Sequence, residues 1–479
     1  MRLASVAAAA LVLIAALNLL VSCSLAPPYQ RPVAPTPETV GELSAPLPAA
    51  IVLPPFGQFL PDERLKALTE IALKENRDLR LSFLKIRETL AQYGVVSSER
   101  LPWLNFEASH EVSGGGGGVR TQRQYETGLV LPAFELDFFR RAADMSLAAR
   151  ETYLASQEAF RYARLALISS VAGAYLDSRL AFEKLRLTER TLASWRSSKA
   201  FIEQRIISGQ STLLDLERAK AMAAFAEAEL EASREEIIRA ENGLKLLLGD
   251  FIEKELPAPS SLMNWKEVDL PSGLSSESLL SRPDILEAEH KLKGAHADIG
   301  AARAAFFPKI SLTAALGLMS MDLASLFNSS SSRWSYGPQL SLPIFSGGRN
   351  RANLEQSLIL KEAAVAQYEL VVQRAFKEAA EGLEVRRILK AREAAQKKYF
   401  SAQTKVLELA TSRYQSGAVS YLEVLDAQRE VFEAEKALLE LKRNQAVNDI
   451  SLYVTLGGGF PEPPKEAAIE TVNLLEERK

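Results

Sequence analysis

The sequence predicts a mixed α and β membrane protein in which one unit, a strand pair followed by a long coiled-coil hairpin of helices, occurs twice. Three observations predict this fold class. The two halves of the chain match each other, each half holds a stretch of well over a hundred residues without proline, and two alternating segments precede each such stretch.

The composition excludes most kinds of catalytic site. The chain has 479 residues, of which 47 % are hydrophobic and 24 % charged, and its formal net charge of −3 favours no nucleic-acid partner. One cysteine excludes an internal disulfide and a cysteine-cluster metal site. Of the three histidines, His290 and His296 are six positions apart, the wrong spacing for joint metal ligation from one helix face. We therefore expect no enzyme, no metal site and no cofactor.

The N-terminus predicts export and lipid attachment. Residues 1–22 read as a lipoprotein signal peptide, with an uncharged apolar run from Leu3 to Leu20. The segment Leu20–Cys23 resembles a lipobox, so we expect cleavage to leave Cys23 as the lipid-modified first residue. Acyl chains give stable attachment because each buried methylene contributes roughly 0.8 kcal/mol. Ser24, where lipoproteins retained in the inner membrane often carry Asp, favours the outer membrane.

An internal repeat divides the chain. Arg205–Gly209 (RIISG) matches Arg413–Gly417 (RYQSG) at an offset of 208, and the match continues without a gap to the Leu-Gly pairs at 248–249 and 456–457. We predict a first unit at 64–250 and a second at 272–457. The segments outside the repeat are an N-terminal lipid-anchored segment at 23–63, a linker at 251–276 and a tail at 458–479.

Each unit is predicted to contain one long helical hairpin. Ala, Leu, Glu, Lys, Arg and Gln dominate the proline-free stretches, and only the Ser-Gly pair of the repeat motif breaks the helical pattern. Apolar or small residues recur at every seventh position, which predicts coiled-coil packing. In the first unit these are Tyr153, Phe160, Leu167, Ala174, Ala181, Trp195 and Ile202, with an interruption at Thr188, and then Leu216, Ala223, Leu230, Ile237 and Leu244.

Strand pairs are predicted before each hairpin because apolar and polar residues alternate there. They lie at 104–112 and 124–131 and at 309–318 and 334–342, with external loops at 113–123 and 319–333. Each segment has about the 9–11 residues that a membrane-spanning strand needs. Four strands cannot close a barrel, and an open edge in lipid leaves backbone groups unsatisfied, so several chains must pool their strands.

The order of these features resembles the TolC-like outer-membrane efflux factor family, in particular its lipoprotein branch of the NodT and OprM types. The resemblance covers nearly the whole chain. It is carried by Cys23–Pro32, Glu135–Arg140 after the second strand, Arg282–Ile285, Pro343–Arg349 and Arg413–Gln428. It implies a homotrimer in which three chains form one twelve-stranded β-barrel that continues into a periplasmic tunnel of twelve helices. The segments outside the repeat would form an equatorial region.

The resemblance also implies a function. The chain would be the outer-membrane exit duct of a tripartite efflux system, surrounded by outer-membrane lipid, conducting passively and opened at its periplasmic tip. Its partners would be a periplasmic adaptor (membrane fusion) protein and an inner-membrane transporter of the proton-driven class. Residues expected to contact the adaptor at the hairpin tips are Arg205, Ser208, Gly209, Arg413, Ser416 and Gly417. The periplasmic gate would be a ring of Glu423 and Asp426, with Asp215 and Leu216 as weaker candidates.

Other functions stay open on the sequence alone. A duct for type I protein secretion would share the same architecture, and the exported substrate is not encoded in any motif that we identify. A non-channel structural lipoprotein with coiled-coil stalks would explain Cys23 and the hairpins. It predicts no strands that face lipid, so the four alternating segments argue against it.

Overall fold

The structure is a computed structural model that describes residues 25–33, 39–40, 59, 62–115, 121–249, 256–265, 274–275 and 279–458. Several predictions fall outside these residues: the signal peptide, Cys23 and the tail from 459 onward, together with parts of the segments 23–63 and 251–276 and of the loop 113–123.

The element order repeats, as the sequence predicts. In chain order the elements are β1 (Thr39–Val40), α1 (Glu63–Glu75), α2 (Arg77–Ser98), β2 (Asn105–Ser113), β3 (Gln122–Leu136), α3 (Arg141–Ile207), α4 (Leu213–Leu248), β4 (Leu274–Ser275), α5 (Pro283–Ala304), β5 (Lys309–Ser320), β6 (Ser332–Ser341), α6 (Arg349–Gln415) and α7 (Tyr421–Thr455). In each half a strand pair precedes a helix of 67 residues, which a helix of 36 or 35 residues follows.

The chain packs as two compact units. Unit 1 comprises Met1–Ala34, Leu84–Gln157 and Leu286–Leu370, and it contains the four long strands. Unit 2 comprises Pro35–Phe83, Glu158–Ile285 and Val371–Lys479, and it contains both hairpin tips. Short strands β1 and β4 pair in unit 2.

The four long strands form one antiparallel sheet in the order β2-β3-β5-β6. The two halves of the repeat meet at β3 and β5, where Gly128 lies opposite Gly317. A Cβ atom at Gly128 would lie 2.5 Å from the Cα of Gly317, so only glycine allows the strands this spacing. No described strand pairs with the outer edge of β2 or of β6. The sheet is therefore open at both sides.

Strand β3 is longer than predicted. The prediction ended this strand at Leu131, whereas β3 continues to Leu136, so the segment Glu135–Arg140 begins inside the strand and not after it. A bulge follows Leu131 and accommodates Pro132. Strand β2 pairs with β3 only as far as Val130, so the missing N–H of Pro132 interrupts no ladder on that side.

The segment predicted as a loop at 319–333 is partly regular. Strand β5 continues to Ser320, and two short 3₁₀ turns follow, at Leu323–Ser325 and Ser329–Ser331. The Ser331 hydroxyl donates to the Ser325 carbonyl at 2.7 Å and connects the turns.

The predicted heptad row is buried along α3, with one correction, whereas on α4 Ala223 is buried and the other four predicted positions are half-buried. Six of the seven predicted positions on α3 are buried, and Ala174 is half-buried. Thr188, predicted to interrupt the row, is also buried and continues it. Trp195 packs with Ala226 of α4 and with Phe432 of α7, whose ring centroid is 6.0 Å away. This cluster joins three helices of unit 2.

Asp62 connects the segment 256–265, which lies outside the repeat, to α1 and α3 within unit 2. Its carboxylate accepts hydrogen bonds from the N–H groups of Arg64 and Leu65 at the start of α1, from the Tyr175 hydroxyl at 2.8 Å and from the Ser260 hydroxyl. Burial alone would raise the pKa of Asp62, but these four hydrogen bonds outweigh burial and lower the pKa below its usual range. The segment 256–265 is thereby connected to the long helix α3.

Candidate functional site

Both hairpin tips close with the same turn. Gly209 and Gly417 follow the ends of α3 and α6 with φ angles of 70° and 76°. In each tip the glycine N–H donates to the carbonyl three residues back, and the next N–H donates to the carbonyl five residues back. The four distances are 2.9 and 2.7 Å in the first tip and 3.0 and 2.9 Å in the second. This pattern is a Schellman motif, which requires the left-handed conformation that glycine adopts at no steric cost.

We predict that Gly417→Ala lowers the free energy of unfolding by about 1–2 kcal/mol, the usual cost of a left-handed conformation for an L-residue. An added Cβ atom at Gly417 meets nothing within 4 Å, so only the backbone conformation changes in energy. Gly417→Asn is the matched control because asparagine tolerates this conformation. Denaturant titration of the detergent-purified protein measures the loss, and equal effects of the two variants would contradict the explanation.

Five of the six predicted contact residues are exposed at the tips: Ser208, Gly209, Arg413, Ser416 and Gly417. Arg205 differs, because it is half-buried and packs over aromatic rings. Its guanidinium carbon lies 4.8 Å from the ring centroid of Tyr414 and 5.8 Å from that of Phe201. Arg205 therefore connects the first tip to the second, and only the other five present an exposed surface.

Tyr414 belongs to the repeat motif Arg413–Gly417, but the sequence alone predicts no role for it. It is buried beneath the tips, its ring centroid lies 5.2 Å from that of Tyr421, and its hydroxyl lies 3.5 Å from that of Ser211. The signal was present in the repeat: at the offset of 208 the first tip has Ile206 where the second has Tyr414. This departure from the repeat marks the residue that contacts the other tip.

The first two turns of α7 separate an apolar face from an acidic one. Tyr421, Val424 and Leu425 are buried in the cluster beneath the tips, whereas Glu423 and Asp426 are exposed. Burial raises the pKa of Tyr421 to about 12, so its hydroxyl adds no charge beneath the carboxylates at neutral pH. Glu423 and Asp426 are three positions apart and therefore share a helix face.

Neither gate candidate is strongly held within its own chain. The Asp426 carboxylate lies 3.7 Å from the Arg429 guanidinium, but both side chains are more than half exposed, so this pair contributes little stability. The Glu423 side chain makes no hydrogen bond or ion pair with the residues that the structure describes. Both carboxylates are available to groups outside the chain.

Asp215, the counterpart of Glu423 in the first unit, is used differently. Its carboxylate accepts from the hydroxyl of Thr212 at 2.8 Å and from that of Ser211 at 3.3 Å, and it completes a capping box at the start of α4. At the second tip the N-cap residue, Ser420, makes no side-chain capping bond. The candidate gate is therefore a feature of the second hairpin alone.

Two of the three histidines, His290 and His296, have partners within unit 1. The Nδ1 atom of His290 lies 2.7 Å from the Glu151 carboxylate, and the ring of His296 packs edge-on against Tyr29. Within the described residues no group of three or more His, Cys, Asp or Glu side chains could hold a metal ion.

Comparison with known proteins gives consistent similarities. The family model described as outer membrane efflux protein matches residues 68–250 and 274–458. The chain is 43 % identical over 444 residues to the cation efflux system protein CusC of Escherichia coli K12, with 92 % of this chain and 97 % of CusC covered. It is 40 % identical over 456 residues to the probable outer membrane lipoprotein SilC of Salmonella typhimurium, with 94 % and 98 % covered.

A solved structure agrees with these similarities. The open state of the Neisseria gonorrhoeae MtrE outer membrane channel matches with a TM-score of 0.84 at 35 % identity, covering 91 % of this chain and 99 % of that one. The family resemblance and the fold class predicted from the sequence, with long helical hairpins and four strands per chain, are confirmed.

Proposed function

The chain belongs to the outer membrane efflux protein family, and we propose that three copies of it assemble into the exit duct of a tripartite efflux system. It is an efflux channel protein of the bacterial outer membrane. The observation that carries the trimer is the open sheet, in which no described strand pairs with the outer edge of β2 or of β6. Unpaired backbone groups cost several kcal/mol each in lipid, and twelve strands from three chains would close a barrel with no edge.

The faces of the sheet support this placement in a membrane. One register row crosses all four strands with Phe106, Leu129, Leu316 and Trp334, and every one of these side chains is exposed in the single chain. The adjacent row, on the other face, is Glu107, Gly128, Gly317 and Arg333. An apolar outer face and a polar inner face are what a membrane barrel with a water-filled lumen requires.

The proposed partners follow from the exposed tips. A periplasmic adaptor protein would dock on the tip surface of Ser208, Gly209, Arg413, Ser416 and Gly417. An inner-membrane transporter, of the proton-driven class, would supply the energy. The duct itself then conducts passively, catalyses no reaction and needs no cofactor. Because the relative CusC is a cation efflux system protein, cations are the first substrate class to test.

Two measurements on detergent-purified protein test the assembly. Native mass spectrometry is expected to give the mass of three chains, and insertion into planar bilayers is expected to give discrete conductance steps. A monomeric or dimeric mass, or bilayers that stay silent, would contradict a trimeric duct.

Lipid attachment at Cys23 is also part of this proposal, supported by the lipobox and by the similarity to the lipoprotein SilC. Cys23→Ser is expected to abolish incorporation of labelled palmitate, because the thioether to the lipid cannot form. Ser24→Ala, next to it in the chain, is expected to keep the label. Label retained by Cys23→Ser would exclude this site of attachment.

A further inference from the structure

The first described residues form an N-terminal strap, residues 25–33, that lies along unit 1. Arg303, in the last turn of α5, donates to the carbonyl of Leu25 at 2.9 Å. Further along the strap, Arg31 forms an ion pair with the buried Glu289 of α5. These two contacts fix the direction of the strap, so that its N-terminal end lies at the C-terminal end of α5.

An open groove of about 640 Å³ lies beside that end of the strap. Its walls are the strap residues Leu25 and Pro28, the consecutive Phe306 and Phe307, and Leu354 of α6. Both phenylalanines are more than 40 % exposed, which is unusual for neighbouring aromatic residues. A groove of this size is within the range of about 300–1,000 Å³ that holds small organic ligands.

In the proposed barrel the groove would lie at the membrane boundary. Phe307 is two residues before β5, at the end of the sheet where the chain passes from helix to strand. The loop of 3₁₀ turns between β5 and β6 is at the other end of these strands. Aromatic residues concentrate at both interfaces of outer-membrane barrels, and at the helical end this interface belongs to the periplasmic leaflet.

We propose that this groove binds an acyl chain of the lipid carried by Cys23, an inference that rests on the proposed lipid attachment. Leu25 is two residues from Cys23, and two residues span at most about 7 Å. The strap therefore delivers the lipid to the mouth of the groove. The acyl chain covers Phe306, Phe307 and Leu354, and the protein holds its anchor in a fixed place instead of releasing it into the bilayer.

Photocrosslinking in the outer membrane tests this site. With p-benzoylphenylalanine in place of Phe306, illumination is expected to crosslink this residue to the acyl chain. Trypsin digestion then releases the peptide 304–309 joined to the lipidated peptide that begins at Cys23. The same substitution at Phe327, an exposed aromatic residue in the loop between β5 and β6, is expected to give no such product.

A matched pair of second substitutions tests the groove itself. Leu354→Asp places a charge on the groove wall and is expected to reduce the crosslink several-fold. Ile359→Asp changes an exposed apolar residue on the same helix, away from the groove, and is expected to leave the crosslink unchanged. Equal effects of the two changes would overturn the assignment.

The outcomes separate the groove from the lipid attachment. A lipidated N-terminal peptide without the crosslink would overturn the groove and leave the attachment intact. An adduct of phospholipid alone, or of a neighbouring copy of the chain, would equally overturn it, because another occupant would fill the groove. An N-terminal peptide without lipid would refute the attachment, and the groove assignment with it, while the channel function keeps its own test in the bilayer measurement.

Discussion

Replacing Glu423 and Asp426 together with alanine is expected to raise the conductance of the channel several-fold and to weaken its preference for cations. Both carboxylates are exposed, follow the second tip directly and share one face of α7. In a three-fold assembly six such groups would meet at the narrow end, where they attract cations and can bond to donors on neighbouring helices. Their removal frees the tips to separate and removes the charge.

The matched control removes the same number of charges from another exposed surface. Glu217 and Glu227 of α4 are exposed and pair with Lys220 and Arg196, much as Asp426 lies beside Arg429. Glu217→Ala with Glu227→Ala is expected to leave single-channel conductance unchanged. Conductance of the Glu423 and Asp426 variant that matches wild type in planar bilayers would exclude both residues from the gate.

Arg282→Ala is expected to lower the free energy of unfolding by about 2–3 kcal/mol, because the largely buried Asp284 carboxylate and the Thr455 carbonyl lose the donor that satisfies them. The Arg282 side chain is 5 % exposed, and it contacts Asp284 at 2.8 Å and Glu378 at 2.9 Å. It also donates to the carbonyl of Thr455 at the end of α7. One side chain thus connects the start of α5, the middle of α6 and the end of α7.

Denaturant titration in detergent measures this loss, and an exposed arginine supplies the control. Arg77 is 65 % exposed and lies 3.8 Å from Glu75, so Arg77→Ala is expected to change the free energy of unfolding by less than about 1 kcal/mol. A loss for Arg282→Ala no larger than that for Arg77→Ala would show that the buried network contributes nothing.

The features that depend on local chemistry are predictable from the sequence. The hairpin tips follow from Ser-Gly pairs in proline-free stretches, because a left-handed residue must end such a helix. The strands follow from alternation, and their observed bounds at β2, β5 and β6 differ from the predicted ones by at most two residues. The duplication locates the hairpins and the strands in both halves, because the match between the halves rests on many positions.

What the sequence could not predict depends on neighbouring elements. The segments Leu131–Phe134 and Leu342–Phe345 match at an offset of 211, yet the first lies inside β3 and the second follows the end of β6. The difference arises because β5 continues to pair with β3 beyond the bulge. Thr188 is similar, since its burial depends on the helices that pack around it.

The candidate gate shows the same limit. Asp215 and Glu423 occupy matching positions, but only Asp215 has a threonine three residues earlier whose side chain completes a capping box. The repeat alone therefore predicts the same local structure around the two carboxylates. Only the hydrogen bonds distinguish a carboxylate that caps a helix from one that is exposed beyond the tip.

Growth inhibition of a strain deleted for this gene, with and without the gene restored, tests the central claim most directly. The panel comprises transition metals, dyes, detergents and antibiotics. An exit duct predicts that the deletion sensitises cells to at least one of these classes and that the intact gene, but not a gene lacking both hairpin tips, restores resistance. Restoration by the gene without its tips, or unchanged growth on every compound, would contradict an efflux duct that opens at its periplasmic tips.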